Sequence, residues 1–482
     1  MPSTPVLSSR PSRPVRRSRC GPRAAVALWP ALTLAALLTA GALGTADARC
    51  VDEDAPPVAD ASSTVAGSIA DPRATLAGMV RDAIERSHAV GASRLLAEAA
   101  LSDVDETRAA KGIQASLSGG LGPGAQTSLG VTETSALQLR AQLNVSQLLW
   151  DGGRSDRLTD WRGQLAESAR LGVLSQGEQV ALSTVSLALE RSRWRQQVVV
   201  YGQYQRKMAC LVEALDTIVR ADRGRASELV QARKSQQQAA LAQQQAQSQV
   251  RVIEVRLRRM LGDGLPGTEG LATVLLQVPA LEELVADVDR SVDIAQLAAQ
   301  EAAARDFARA QEAANRAQVS WNFTGAGNAG TGSGASGPSA DARPRNPRSG
   351  SLALGLQLNI PLLAPGSAPA TASANKRAEA MARQRLEALE VRRFRVAEVF
   401  EQTEASFDRA RRLAAVLRDS EQVRNFTLQQ WQQLGRRSLF DVMGAEAEHY
   451  NLRVAYINAL HDGQQLNANL RSLGRGVSQW LR

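Results

Sequence analysis

The feature that most constrains this chain is a helical pattern that runs without a decisive break from Asp151 to Asp222. At 1.5 Å per residue such a helix is about 100 Å long, and it buries an apolar stripe only by packing lengthwise against another helix. Two later stretches have apolar positions at alternating steps of four and three, the spacing of coiled coils. These positions are Val396, Phe400, Thr403, Phe407, Ala410, Ala414 and Leu417, and then Phe440, Met443, Ala447, Tyr450, Val454 and Ile457.

Two glycines interrupt the helical pattern in matching contexts. The tetrapeptide that begins at Gly224 is GRAS and the one that begins at Gly435 is GRRS. We predict that each glycine ends one long helix and lets the chain reverse into the next, as glycines at helix C-termini do. The two glycines then mark the tips of two helical hairpins, and their repetition indicates a duplicated architecture.

The order of elements repeats in the same way. Each half is predicted to run helix, strand, glycine-rich loop, strand, long helix, glycine, long helix, and the first helices span about 75–110 and about 292–317. The second strands align at a constant offset, with Leu143-Asn144 in one half and Leu358-Asn359 in the other. The predicted segments are a signal peptide at 1–48, an N-terminal extension at 49–74, a first repeat at 75–262, a connecting segment at 263–291, a second repeat at 292–474 and a C-terminal tail at 475–482.

Each of the four predicted strands is apolar on one face and polar on the other. The stretch between the third and fourth strands, residues 325–351, is so rich in glycine and serine that we predict an exposed loop. Four strands alone leave two open edges and no core. Outward apolar and inward polar residues suit a membrane barrel, which would close only if several chains contributed strands. The alternative is a soluble β-subdomain that caps a helical bundle, but glycine-rich loops at one end and helices at the other favour the barrel.

The N-terminus is predicted to be a cleaved export signal. An arginine-rich stretch leads into an apolar run and then "TADA", where Ala46 and Ala48 fit the small-residue cleavage pattern before Arg49. The alternative is a membrane anchor, because the run is close to bilayer length. Cys50 would follow the cleavage site, although Arg49 does not suit lipid attachment, and a disulfide between Cys50 and Cys210 is allowed but not implied.

Charge and motifs exclude several classes of protein. Removing residues 1–48 takes away six arginines and one aspartate, so the formal net charge falls from +9 to +4 and gives no reason to expect nucleic acid as a partner. The three histidines have no metal-ligand spacing, and neither a phosphate loop nor a nucleophile elbow is present. We therefore expect no enzyme activity, no cofactor and no metal. An extended coiled-coil scaffold or adhesin at the surface or in the periplasm remains the alternative, but it does not explain four strands placed symmetrically in two halves.

The stretch "LGRRSLFDVMGAEAEHYNLRVAYINALHDGQQLNANLRSLG", together with the strand endings "SQLLWDGGR" and "IPLLAPG", resembles the TolC-type outer-membrane efflux proteins. The resemblance implies a mainly helical protein with a membrane β-barrel. It also implies a homotrimer in which twelve strands form one barrel in the outer-membrane lipid and twelve helices continue it as an α-barrel through the periplasm. A periplasmic adaptor of an inner-membrane pump or ABC transporter would dock at the hairpin tips, and small molecules or polypeptides would leave through the channel.

The resemblance also assigns roles to individual residues. Arg437 corresponds to a basic residue that latches the closed entrance, and Asp441 to an acidic residue that rings the constriction; the alternative for Asp441 is a carboxylate favoured by the helix dipole. Two departures are Gly444, where a second acid is expected, and Val230, where the first-half latch partner is expected, with Glu228 nearby. The residues predicted to form the adaptor-docking tips are Gly224, Arg225, Gly435 and Arg436.

Overall fold

The computed structural model describes residues 71–128, 131–336, 348–434 and 436–482. Outside the described residues lie the predicted signal peptide, Cys50 and Gly435. Cys210 is disulfide-bonded. The helices are α1 (Pro72–Arg86), α2 (His88–Ala109), α3 (Arg154–Ala221), α4 (Ala226–Leu261), α5 (Leu281–Val288), α6 (Val292–Ala313), α7 (Ser367–Leu434), α8 (Leu439–Leu473) and α9 (Val477–Leu481), and the strands are β1 (Gln114–Ser128), β2 (Val131–Trp150), β3 (Gln318–Ser336) and β4 (Arg348–Asn359).

The predicted long helices are confirmed. Helices α3 and α7 each have 68 residues, and each packs against the helix that follows it, α4 and α8 respectively. On α7 the predicted seam is buried at Val396, Thr403, Phe407 and Ala410. The region predicted as a single helix over 75–110 is instead two helices, because the side chain of Ser87 accepts a hydrogen bond from Val90 N and starts α2.

The seam predicted on α8 is partly wrong. Phe440 is 47% exposed, whereas Leu439 is fully buried. One heptad later Glu446 is fully buried, while its neighbour Ala447 is only half-buried. The buried line therefore follows the face of Leu439, Met443, Glu446 and Tyr450, and the buried position belongs to a carboxylate, one residue before the alanine that the pattern selected.

The four strands form one antiparallel sheet in the order β1-β2-β3-β4. They have 15, 20, 19 and 12 residues, so they are longer than the nine to eleven residues expected of a membrane strand. Residues 325–336 and 348–351 belong to β3 and β4, which corrects the predicted exposed loop; residues 337–347 lie outside the described part of the chain. Glycines are accommodated because the ladder is made by backbone groups, and Gly327 pairs with Gly350.

The turn from β2 into α3 explains the sequence Asp151-Gly152-Gly153. Both glycines have positive φ (67° and 86°), a backbone conformation that residues with a Cβ rarely adopt. Asp151 is buried, and its carboxylate accepts hydrogen bonds from Gly153 N at 3.1 Å and Ser155 N at 2.7 Å. Strand and helix are thereby joined with the first amides of α3 satisfied.

Two buried amides fasten the connecting segment to α8. Gln464 Nε2 donates to the carbonyls of Leu271 and Ala272 at 3.2 and 2.8 Å, and Asn467 Nδ2 donates to the carbonyls of Leu275 and Gln277 at 2.7 and 2.9 Å. Both amide side chains are fully buried. They satisfy the carbonyls of a segment with little regular structure, which would otherwise be costly to bury.

The predicted C-terminal tail contains α9, which packs onto α1 and α3. Glu178 of α3 accepts hydrogen bonds from Ser478 N at 3.2 Å and Ser478 Oγ at 2.7 Å, and Val477 is fully buried. Within the described ranges, the helices contain no segment that is both long enough and apolar enough to cross a membrane.

Candidate functional site

The first hairpin tip, between α3 and α4, is made by an aspartate rather than by a glycine. Asp222 leaves the helical conformation (φ −132°, ψ 101°) and ends α3. Its side chain accepts a hydrogen bond from Gly224 N at 2.9 Å, within a short turn over Arg223–Arg225. Gly224 does not have positive φ. The predicted chain reversal is therefore confirmed, but the expected glycine C-cap is wrong at this tip, because the Asp222 side chain forms the turn.

The charged residues of the first tip pair locally. Arg225 Nε lies 3.3 Å from Glu228 Oε2, one turn into α4. Val230, at the position where the resemblance expects an acidic latch partner, is 66% exposed. Within this chain Glu228 is therefore engaged by the arginine of its own tip.

The second tip begins α8 with a capping box. Ser438 Oγ accepts a hydrogen bond from Asp441 N, and the carboxylate of Asp441 accepts one from Ser438 N, both at 3.2 Å. This reciprocal pair satisfies two of the free amides at the start of a helix, where a carboxylate is also favoured by the helix dipole. Asp441 remains exposed to solvent. The carboxylate thus has a structural role, and its charge is still available to water.

Arg436 and Arg437 lie between the two helices and are both exposed. Arg437 Nε donates to Gln430 Oε1 at 3.2 Å, which ties it back to α7. Because α8 begins at Leu439, Arg437 lies before the helix that carries Asp441. Gly444 is exposed with open space around it, so packing does not require a glycine there.

The two tips pack against each other. Leu211 and Leu215 of α3 and Leu229 of α4 form one buried cluster with Leu439 and Val442 of α8. The structure therefore brings the two tips predicted from the sequence, which are far apart along the chain, to the same end of the helices.

A buried group of charges lies behind this cluster. Glu446 of α8 faces Lys207 of α3 at 3.8 Å and Arg424 of α7 at 3.9 Å, and all three side chains are at most 5% exposed. Sequence reasoning missed it. A charged residue at a seam position of α8 was the available signal, but the spacing rule selected the neighbouring alanine.

One face of the sheet is continuously apolar. In register across the four strands lie Leu117, Leu143, Gly325 and Leu352, and the next row is Ala115, Val145, Phe323 and Leu354. Leu117, Leu352 and Leu354 are 75–80% exposed in the single chain. An exposed apolar surface of this extent indicates contact with lipid or protein.

The opposite face is polar. One row contains Ser116, Asn144 and Thr324, and Thr324 Oγ1 lies 3.3 Å from Asn144 Oδ1. The outer edges of β1 and β4 are unpaired in the sheet of a single chain. Because an unpaired edge is a template for another strand, the sheet can be extended on both sides.

The part of the chain described here holds no group of three or more histidine, cysteine or carboxylate side chains placed to bind a metal ion. No model of a protein family matches the sequence. No curated protein matches it either.

Solved structures do match. The fold is similar to that of CusC, whose structures concern transmembrane channel formation, with a TM-score of 0.70 at 15% identity over 83% of this chain and 92% of that one. It is similar to the outer membrane protein VceC from Vibrio cholerae, with a TM-score of 0.68 at 16% identity over 84% and 97%. The outer membrane channel MtrE from Neisseria gonorrhoeae gives a TM-score of 0.66 at 16% identity over 85% and 90%.

These comparisons define the class of fold. The chain has the fold of TolC-type outer-membrane channels, as the resemblance implied, and one chain forms a four-stranded sheet. The likeness covers 83–84% of this chain.

Proposed function

We propose that three copies of this chain form an exit duct through the outer membrane of a Gram-negative bacterium. The twelve strands close into one barrel, and the helical hairpins continue it into the periplasm. The observation that carries the proposal is the sheet, which has one apolar face, one polar face and two open edges. Backbone groups at an edge are tolerated in lipid only when they are paired, so closure needs strands from other chains.

The tips at Gly224 and Arg225, and at Gly435 and Arg436, are the proposed docking surface for a periplasmic adaptor of an inner-membrane pump. Support comes from the exposed Arg436 and from the packing of both tips into one end of the structure. The cargo is a small molecule or a polypeptide that the pump delivers.

Adjacent residues of β4 provide the test of the barrel. Leu354 belongs to the apolar face and Ala353 to the polar face, and both are exposed in the single chain. Leu354→Lys is expected to weaken barrel assembly by about 2–4 kcal/mol per chain, because the charge faces lipid. Ala353→Lys, with the same charge facing the lumen, is expected to assemble normally. The readouts are the amount of trimer in outer-membrane fractions and planar-bilayer conductance.

Equal, normal recovery of both variants as water-soluble protein would contradict the proposal. A native chain that stays monomeric in mild detergent would contradict it as well.

We also propose that three Asp441 carboxylates ring the periplasmic entrance, with Arg437 beside them holding the hairpin ends together. A ring of like charges at a narrow water passage concentrates counter-ions. Asp441→Asn keeps an oxygen that can accept from Ser438 N, so the capping box is retained while the charge is removed. Reduced cation preference and weaker block by multivalent cations are expected in planar bilayers. Unchanged selectivity and block would leave Asp441 with its capping role alone.

A further inference from the structure

Arg140 stands out on the polar face of the sheet. The four strands together have 66 residues, and only three of these residues are charged, namely Glu133, Arg140 and Arg348. Arg140 is in register with Gly120, Asn328 and, one strand further, Ser349. A long cationic side chain therefore rises from a row of short, uncharged neighbours.

The guanidinium is held in place without being neutralised. Gln138, two residues earlier on the same face, accepts from Arg140 Nε at 3.1 Å and from a terminal nitrogen at 2.7 Å. A Cβ added at Gly120 would have open space around it, so nothing covers Arg140 from β1. Among the side chains that the structure describes, no carboxylate pairs with Arg140, and the residue is exposed. A neutral amide partner fixes the direction of the fork and leaves the full positive charge.

We propose that Arg140 is a specificity-determining residue that selects anionic groups on the molecule passing through the barrel. The inference rests on the proposed trimeric duct, in which the polar face lines the lumen and Arg140 occurs three times around it. Carboxylate, sulfate or phosphate groups on the cargo are the chemical class that a ring of guanidinium groups recognises. The ring acts at the barrel, whereas the Asp441 ring acts at the far end of the helices.

Arg348 is the matched control. It pairs with Ala329, the residue next to Asn328 in β3, so it lies within one residue of the Arg140 row. However, Arg348 lies on the apolar face, because it is an even number of positions away from Leu352 and Leu354 along β4. Removing either arginine changes the charge of the barrel by the same amount, but only Arg140 is on the lumen side.

The test is planar-bilayer recording on purified trimers of the native chain and of Arg140→Gln, Arg140→Lys and Arg348→Gln. A KCl gradient centred at about 0.01 M lengthens the screening distance to about 30 Å, so wall charges reach across the lumen. The anion-to-cation permeability ratio is expected to fall roughly two- to fivefold in Arg140→Gln. Arg140→Lys should keep most of the native ratio, and Arg348→Gln should match the native chain. Tripolyphosphate added on the side of the bilayer where the barrel opens should block native channels and Arg140→Lys channels more strongly than Arg140→Gln channels.

A conducting Arg140→Gln channel with the native permeability ratio and native tripolyphosphate block would overturn the inference and leave the proposed duct standing. An equal change in Arg348→Gln would also overturn it, because the effect would not depend on the face of the sheet. A native chain that inserts no channel would overturn the proposed duct and the inference together.

Discussion

Glu446→Leu is expected to destabilise the tip end of the helices by about 3–5 kcal/mol, because it removes the carboxylate faced by two buried cations. Lys207 and Arg424 are 5% and 4% exposed at the side chain, and Glu446 is fully buried. The three residues belong to three different helices, α3, α7 and α8. Their charges therefore couple the two hairpins.

The measurements are the apparent melting temperature of the trimer in detergent and amide hydrogen exchange over 439–450, at fixed protein and detergent concentrations. Glu448→Leu is the control, since Glu448 is exposed two residues further along α8. Its effect should stay within about 0.5 kcal/mol, as for ordinary surface changes. Replacing the whole group, as Lys207→Met with Arg424→Met and Glu446→Leu, should recover most of the loss, because an apolar cluster needs no counter-charge. A Glu446→Leu protein as stable as Glu448→Leu would contradict the prediction.

Local periodicity was enough to predict the large elements. The seam of α7 and the length of α3 follow from the spacing of apolar residues, which the sequence displays directly. The two faces of each strand follow from the alternation of apolar and polar residues. The register pairs Leu117 with Leu143 and Leu352 with Gly325, so the apolar residues of the four strands lie on one side of the sheet. The helix seams and the strand faces depend on residues that are close together in the sequence, so the sequence alone is enough to predict them.

Features that depend on distant partners were missed. The spacing rule chose Ala447 over Glu446 because a carboxylate is an unsuitable seam residue unless cations face it, and Lys207 and Arg424 come from other helices. The sequence predicts that Gly224 ends α3, because glycine is the usual helix terminator. In the structure, the hydrogen bond from Gly224 N to the Asp222 side chain forms the turn, so an aspartate is sufficient. The glycine-rich part of β3 is predicted to be a loop because glycine has low strand propensity, but pairing with β2 and β4 overrides that propensity.

The roles of Arg437 and Asp441 came from resemblance, and the structure adds local contacts to them. Asp441 completes a capping box and Arg437 is bonded to α7. Whether their charges also face a common axis depends on the arrangement of three chains, which the sequence of one chain does not encode locally. The Asp441→Asn recording is therefore the decisive measurement for that site.

A second large effect is expected at acidic pH, from His461 on α8. Its side chain is 3% exposed, and neither ring nitrogen has a hydrogen-bond partner among the described residues. It lines a cavity of about 210 Å³ together with Glu190, Arg193 and Asp462. Burial, and then the charge of Arg193, lower the pKa of His461 to about 4. The carboxylate of Asp462 does not offset this effect, because it lies 3.3 Å from Arg193 NH1 and pairs with that arginine.

The sign follows from the direction of the shift. An unfolded chain protonates this histidine near pH 6.5, whereas the folded chain resists protonation until about pH 4. Between these values the unfolded state binds more protons, so stability falls as the pH falls through the window, and the neutral imidazole is fully compatible with the fold above pH 6.5. At 1.36 kcal/mol per pKa unit, the loss contributed by this one group reaches about 3 kcal/mol at pH 4.

His461→Met removes the titration and keeps a side chain of similar volume. At pH 7.5 its stability should equal or slightly exceed that of the native chain, because an unpartnered buried N–H is lost. At pH 4.5 it should be more stable than the native chain by about 2–3 kcal/mol, measured as the melting temperature against pH. Taking the difference between the two curves cancels every other titrating group. His88→Met, at an exposed histidine of α2, is the control for the histidine-to-methionine substitution itself. If the native and His461→Met curves fall in parallel between pH 6.5 and 4, protons reach this histidine in the folded state as easily as in the unfolded one, and the α3–α8 contact opens before it titrates.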